Sequence, residues 1–480
     1  MMYVVLAAWL VLSASFVEAK TLYVNNSGAP ACSNATTYAN NDAANPWCVI
    51  ARAAWGSTSY ASPNTSEAAQ AGDVVLITAG IYTENGNASG NRFTVALNPA
   101  NSGTSGNPIT FRGVGTVEIR MAATYRGGTI GADGRDYIVW DHIYINDYYQ
   151  GSTSDTGPVV FHITTGSQLL NSEIIGHPGS YYHGYATFGG NYRLVSIEPA
   201  DNVLIKNNRI HRAHLDATGV GGQNEACIMS YDADNTIIEH NEIYDCGTGV
   251  FIKGQHEATV PTGNIARYNL VYDCDSGGLR VWYGEQTRFY QNIIYGSNVG
   301  ISIQADVSSG SRAINNTIYN SADAGVIVVD SPEVVGLLFD NNLIVGNTYA
   351  IRNWPTVVYG DIDMTWVRNF YYNNTTHFNG DGTGAITFAT WQGTHGEDVN
   401  GVNGTDPQFT NAAGGNFHIA NATALVTGRV VESIGGTNGA TIPVGAYISG
   451  TETIGIEVAS STGGASATGG ITFSGSVRIQ

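Results

Sequence analysis

The pentapeptides NNRIH (207–211), HNEIY (240–244), YNLVY (268–272), QNIIY (291–295), NNTIY (315–319) and NNLIV (341–345) repeat one short phrase along the chain. The second position is Asn every time: Asn208, Asn241, Asn269, Asn292, Asn316 and Asn342. Two places later stands Ile210, Ile243, Val271, Ile294, Ile318 or Ile344. Subtracting successive Asn numbers gives intervals of 33, 28, 23, 24 and 26 residues, and RNFYY from Arg368 adds a step of 27. A period in the twenties, written in strand-forming residues, is the mark of a solenoid. The repeats are rich in Ile, Val, Tyr, Asn and Gly and lack a 3.6-residue rhythm, which excludes a helical solenoid.

A second phrase follows each first one: GVFIK from Gly249, GLRVW from Gly278, GISIQ from Gly300, GVIVV from Gly325 and AIRNW from Ala350. Because side chains alternate along a strand, Val250/Ile252, Leu279/Val281, Ile301/Ile303 and Val326/Val328 are expected inside. Phe251/Lys253, Arg280/Trp282, Ser302/Gln304 and Ile327/Val329 are then expected outside. The leading glycines suit corners that need positive φ. Turns stacked at strand spacing place each Asn over the next, where the amides can share hydrogen bonds. The predicted fold is all-β, a parallel β-helix with caps.

Bulk composition bounds the function. Of 480 residues, 60 are Gly and only 12% are charged, while 43% are hydrophobic, which opposes disorder and fits a corner-rich β protein. The net charge of -19 argues against nucleic acid as a partner, since phosphate binding needs a basic footprint. An anionic polysaccharide needs only a local cationic patch and stays open. Residues 1–19 have the apolar run and small-residue end of a signal peptide, so the mature chain is expected to be exported and free of the membrane. The five cysteines agree with export. Cys32 and Cys48 flank a polar loop and are expected to pair. Cys246 and Cys274 share a repeat position and are expected to stack or bond, leaving Cys227 as a buried thiol.

KTLYV (20–24) starts the mature chain as a strand, and PWCVIARAAWG (46–56) reads as a short helix plugging the solenoid's open end. AGDVVLITAGIYTE (71–84) and SGTSGNPITFRGVG (102–115) read as turn and strand. Together these segments resemble the opening of secreted right-handed β-helix proteins, including pectate lyases and related polysaccharide lyases, whose pattern runs "YYV…NPW…I..A…A..GD.V.…GTY.E…SGT.GNPIT.R". The resemblance implies a right-handed parallel β-helix. The expected organisation is a cap and first strands over 20–130, the β-helix with inserted loops over 131–425, and a cap with a Gly/Ser/Thr-rich tail over 426–480.

Lys253 and Arg280 are the most informative charges. Arg280 follows its glycine by two places and Lys253 by four, so one turn and a two-residue offset separate them. That is about 4.8 Å by 6.6 Å, close enough for both heads to meet one substrate. Cleaving a uronic-acid polymer by β-elimination removes the C5 proton beside a carboxylate. It requires neutralisation of that carboxylate and a nearby base. Lysine serves as base once neighbouring positive charge lowers its pKa, and arginine grips a carboxylate with two donors. In the pectate lyases whose base is lysine, a "DGFAAK" strand resembles TGVFIK (248–253), which carries the base over to Lys253. Their "NSDDGWD" calcium cluster corresponds to DCDSGGL (273–279), which keeps only Asp275. Chondroitinase B and the alginate lyases use Lys on one turn and Arg on the next, an order that Lys253 and Arg280 resemble, with RVWYG in place of "RHG".

Around this pair, Tyr231, Trp282 and Tyr283 offer flat faces for sugar rings, and Tyr283 a proton for a leaving oxygen. His256, Glu257 and Glu285 stand in the loops beyond the strands as candidates for sugar hydroxyls. His211, His214, Asp216 and Glu225 form the densest titratable cluster; a metal site, a hydrolase acid/base pair and plain loop polarity all remain open for it. Asp245 and Asp273 share a repeat position, and with Asp275 they are the candidate calcium ligands. The expected protein is a secreted monomer that cleaves an acidic polysaccharide by elimination. Its rivals are a glycoside hydrolase using Asp216 and Glu225, and a noncatalytic carbohydrate-binding surface protein.

Overall fold

The computed structural model describes residues 18–85, 93–122, 127–146, 156–176, 192–213, 224–255, 260–304, 308–329, 335–353, 364–379 and 384–420. It also describes short pieces at 425–427, 441–443, 445–447 and 453–456. His214, Asp216, His256 and Glu257 lie outside the described residues.

Almost every strand belongs to one 31-stranded sheet paired in parallel from turn to turn. Within a turn the chain crosses three walls in a fixed order. Ile237–Glu239 lies in the first wall, and Glu242–Lys253 bends at its middle to serve the second and third. The next turn repeats this with Ile265–Arg267 and Leu270–Trp282, in the register Ile243↔Val271, Cys246↔Cys274, Val250↔Leu279 and Lys253↔Trp282. The inward sets are all buried, including Val250, Ile252, Leu279, Val281, Ile301, Ile303, Val326 and Val328. One row of aliphatic side chains thus runs the length of the interior, and burying it is the main driving force.

The corner between first and second walls carries the asparagines. Asn208, Asn241, Asn269, Asn292, Asn316, Asn342 and Asn369 are buried, and each Nδ2 from Asn208 to Asn342 donates to the Oδ1 of the next at 2.9–3.0 Å. Each also receives the previous rung's backbone N–H and donates Nδ2 to a carbonyl, as Asn292 does to Ala266 at 2.9 Å. The residue before each Asn turns left-handed: Asn207, His240, Tyr268, Gln291, Asn315, Asn341 and Arg368 all have φ between 47° and 60°. The ladder ends on Asp398, which accepts from Asn369 N (3.2 Å), Asn369 Nδ2 (3.1 Å) and the Tyr371 hydroxyl (2.7 Å).

The glycines that open the third wall do not serve positive φ. Gly249, Gly278, Gly300 and Gly325 are not among the left-handed glycines. Their reason is contact: a Cβ on Gly278 would lie 2.4 Å from Ile294 Cγ2, and one on Gly300 2.4 Å from Ile318 Cγ2 and 2.5 Å from Gly325 O. The interior is so narrow at this corner that a side chain would collide with the next turn.

The ends are closed. Ile50–Trp55 is the expected N-terminal cap helix; all six residues are buried, and Glu84 accepts from Ile50 N (2.7 Å) and Ala51 N (3.3 Å) at its start. At the other end a helix that the sequence did not suggest, Phe388–His395, lays Trp391 on Phe378 at 4.2 Å. A short antiparallel hairpin follows, Phe409–Asn411 with Asn416–Ile419. Its Phe417 packs on Tyr295 and Tyr319, and Ala446 is buried beside it.

Cys32 and Cys48 form a disulfide with Cα atoms 5.0 Å apart. The second disulfide corrects the expected thiols: Cys227 bonds Cys246, with Cα atoms 5.7 Å apart, and Cys274 is the buried free thiol. Cys246 and Cys274 do stack in register. The bond goes instead to Cys227, which lies on the strand Ala226–Tyr231 at a separation that a disulfide spans without distortion.

Two stability tests follow from the ladder. Asn292→Ala deprives the Asn269 amide, the Asn269 side chain and the Ala266 carbonyl of buried partners. The expected loss is at least about 3 kcal/mol in urea unfolding, and a loss below about 1 kcal/mol would show that the ladder supports little. Burial raises the Asp398 carboxyl to about 6 against an ordinary 3.8. Since the folded pKa is the higher, stability is present at acid pH and falls as pH rises through about 6. Asp398→Asn should therefore raise the melting temperature at pH 7 and flatten its pH dependence between 4 and 6.

Candidate functional site

On the outer face of the third wall, Phe251 pairs with Arg280 and Lys253 with Trp282, so Lys253 and Arg280 are diagonal neighbours on one face. The row through Lys253 continues to Tyr231 on one side and to Gln304 beyond Trp282 on the other. Phe251 is fully buried although it faces outward, because Ala226, Met229, Tyr231 and Trp282 close around it. The result is an aromatic floor bearing cations. The Lys253 Nζ lies 4.8 Å from the centre of the Trp282 ring and 5.8 Å from that of Tyr231. The Arg280 guanidinium lies 4.7 Å from the Phe251 ring and 5.1 Å from Trp282. Ring faces hold such cations electrostatically.

Three polar residues that the sequence does not single out stand around these heads. Asn224 Oδ1 accepts from Lys253 Nζ at 2.7 Å. Gln304 Oε1, one turn on, accepts from Arg280 Nε at 2.9 Å and also from its Nη2. Arg193, buried and ion-paired with the buried Glu198, sits 5.9 Å from the Tyr231 ring that Lys253 shares. Gln304 already stood at an outward position of the second phrase. Asn224 and Arg193 border irregular stretches with no repeat to align them.

The electrostatics follow from crowding. Burial, then the charges of Arg193 and Arg280, lower the Lys253 ammonium from 10.5 to about 8, against a smaller opposing pull from Asp232. Burial lowers the Arg280 guanidinium to about 10. A lysine poised this way is part neutral near neutrality and can accept a proton.

The other sequence candidates distribute as follows. Tyr283 follows directly, its ring 5.7 Å from Trp282 and nearly parallel, its backbone left-handed at φ 58°. Glu285 lies past the strand end, where its N–H bonds Pro261 O. His211 leaves the site altogether: it is buried on the second wall, its ring stacked on Tyr244 at 4.5 Å and its Nε2 3.4 Å from Glu173. It begins a column, His211–Tyr244–Tyr272–Tyr295, whose rings repeat at 4.5–4.9 Å. Glu225 is buried and its backbone carbonyl pairs with Thr248 N.

The candidate calcium ligands Asp245, Asp273 and Asp275 stand near enough for their charges to interact. Among the described residues no three His, Cys, Asp or Glu side chains are gathered to hold a metal. Asp245 and Asp273 both turn left-handed at the bend between second and third walls, and Asp245 lies 3.9 Å from the Arg212 guanidinium. Burial and the charges of Asp245 and Asp275 raise the Asp273 pKa, as for like charges sharing a corner.

A family model described as a right handed beta helix region matches residues 193–357. The chain is a right-handed parallel β-helix protein. Among curated proteins, a lacto-N-biosidase of Bifidobacterium longum subsp. longum is 26% identical over 141 residues, a match spanning 28% of this chain and 9% of that protein. Among solved structures, pectate lyase Pel9A is similar at TM-score 0.49 and 13% identity, covering 89% of this chain and 96% of that one. A lacto-N-biosidase from Eubacterium ramulus is similar at TM-score 0.48 and 11% identity, covering 80% and 67%.

The patch makes a prediction that needs no substrate. The folded state disfavours the Lys253 cation, so that penalty is full below about pH 8 and fades as pH rises toward 10.5. Lys253→Met keeps the packing on Tyr231 and Trp282 without the charge. Its melting temperature should exceed that of the parent at pH 7, with the gain shrinking between pH 8 and 10.5. A loss at pH 7, or a gain indifferent to pH, would contradict the crowding described.

Proposed function

We propose that the protein is an exported polysaccharide lyase that cleaves a uronic-acid polymer by β-elimination on the outer face of the third wall. The observation that carries this reading is a lysine lowered to about 8 beside an arginine, both on an aromatic floor, in a chain of net charge -19. An acidic protein that concentrates cations at one patch is suited to an anionic ligand. The aromatic surfaces of Trp282 and Tyr283 suit the apolar faces of sugar rings.

Arg280, its fork held by Gln304, would neutralise the substrate carboxylate and so acidify the C5 proton. Lys253 as the neutral amine would take that proton. The electron pair left at C5 would form the C4–C5 double bond as the C4–O bond breaks, and the Tyr283 hydroxyl would give its proton to the departing oxygen. Calcium enters this proposal only as a variable of the assay.

The test follows absorbance near 235 nm, where the unsaturated product absorbs, with pectate, alginate and chondroitin, each with and without calcium. A rise on one polymer is expected, with kcat/KM climbing between pH 7 and about 8 and levelling above, because only about one Lys253 in ten is neutral at pH 7. Lys253→Arg and Arg280→Gln should each lower kcat/KM by at least about 100-fold. No rise on any of the polymers would end the lyase reading.

A second reading is supported by the match to a lacto-N-biosidase: a glycoside hydrolase on the same scaffold. It predicts new reducing ends with no gain in ultraviolet absorbance.

A further inference from the structure

The first rung of the solenoid begins at Lys20. Its carbonyl accepts the Val74 amide at 3.0 Å, and the pairing of Thr21–Val24 with Val74, Val75, Leu76 and Ile77 follows at once. Its side chain is anchored as well, the ammonium donating to Tyr38 O (2.5 Å) and Ala39 O (2.9 Å). Ala19 and Glu18, immediately before it, are exposed. The boundary between anchored and exposed chain therefore coincides with the end of the signal-peptide pattern.

The backbone nitrogen of Lys20 points at a carboxylate. It donates to Asp73 Oδ1 at 2.8 Å, and Asp73 is fully buried. The other carboxylate oxygen accepts from the Tyr38 hydroxyl and from Gln70 N, each at 2.8 Å. All three donors are neutral as long as Lys20 is joined to Ala19. A carboxylate wholly removed from water with only neutral donors is costly, whereas an ammonium at hydrogen-bond distance supplies a short, charge-assisted bond.

We propose that Asp73 is the receptor for the α-ammonium of Lys20 created when the Ala19–Lys20 bond is cut, so that removal of the leader completes a partly buried ion pair and tightens the N-terminal cap. The reagents are water and a leader-cleaving endopeptidase. The amide C–N bond breaks, Ala19 leaves as a carboxylate, and the nitrogen takes up protons to become the ammonium. Asp73 has no part in the cleavage. It holds the product, through the same contact that already orients the nitrogen in the uncut chain.

The consequence reaches past the contact itself. Tyr38 N also bonds Glu67, which pairs with the buried Arg52 of the cap helix at 2.7 Å. The new charge thus enters a network that ties the first strand to the plug of the solenoid.

Three preparations of the otherwise complete chain test this: one starting at Lys20, one retaining Ala19, and one starting at Lys20 with its α-amine acetylated. The protein recovered from an exporting host is first sequenced from its amino terminus, and Lys20 is the expected first residue. The chain starting at Lys20 should melt at least about 1 °C above both blocked forms at pH 7. Pairing raises the amine's pKa above an ordinary 7.7–8.0, so the advantage is full below about pH 7.7 and is lost at higher pH. Asp73→Asn should abolish the difference between the Lys20 and Ala19 forms. Should that variant fail to fold, the acetylated chain alone decides. Equal melting of free and blocked forms at every pH, or a mature terminus elsewhere, would overturn the proposal.

Discussion

The structure depends on register between rungs, and the buried asparagine ladder is what fixes it. Aliphatic packing alone tolerates sliding, because one Ile or Val can replace another in the interior row. An amide cannot slide: from Asn208 to Asn342, each Oδ1 that accepts the previous rung's Nδ2 and N–H must lie in line with it. A shift of one residue would strand these groups in a dry interior and turn every strand's faces over. The left-handed residue before each Asn sets the corner from which the amide enters the core. Steric exclusion at Gly278 and Gly300 fixes the opposite corner.

Register is also what makes chemistry available. Lys253 and Arg280 are 27 residues apart in sequence by subtraction and become diagonal neighbours only because Phe251 pairs with Arg280 and Lys253 with Trp282. The same stacking sets Phe251 and Trp282 beneath the two cations, which removes water from one side of each. Arg193, two rungs away, is ion-paired with Glu198. Lys253 keeps an amide partner, Asn224, rather than a carboxylate that would hold it protonated.

Much of this was legible in the sequence because a solenoid converts period into proximity. The Asn spacing gave the stacking, the alternation after each glycine gave inside and outside, and the glycine offsets gave the Lys253–Arg280 diagonal. Illegible parts lie where no repeat supports alignment, as with Asn224 and Arg193. His211 stands beside the irregular loop in sequence, yet it fills the fifth place of the first phrase and so shares a column with Tyr244. The Cys227–Cys246 bond escaped because in-register stacking favours Cys246 with Cys274 on spacing alone, and spacing does not describe the bend. The closing helix Phe388–His395 carries no signal of its own beyond a Thr387 cap and a following Gly396.

One amine, that of Lys253, is pushed toward neutrality by the groups that register places around it. The chain has three lysines, Lys20, Lys206 and Lys253, so their side-chain nitrogens can be labelled and titrated as separate nuclear magnetic resonance signals. The Lys253 signal is expected to move with a midpoint near 8, and Arg280→Gln to shift this midpoint upward. A midpoint near the ordinary 10.5, unmoved by that substitution, would contradict it.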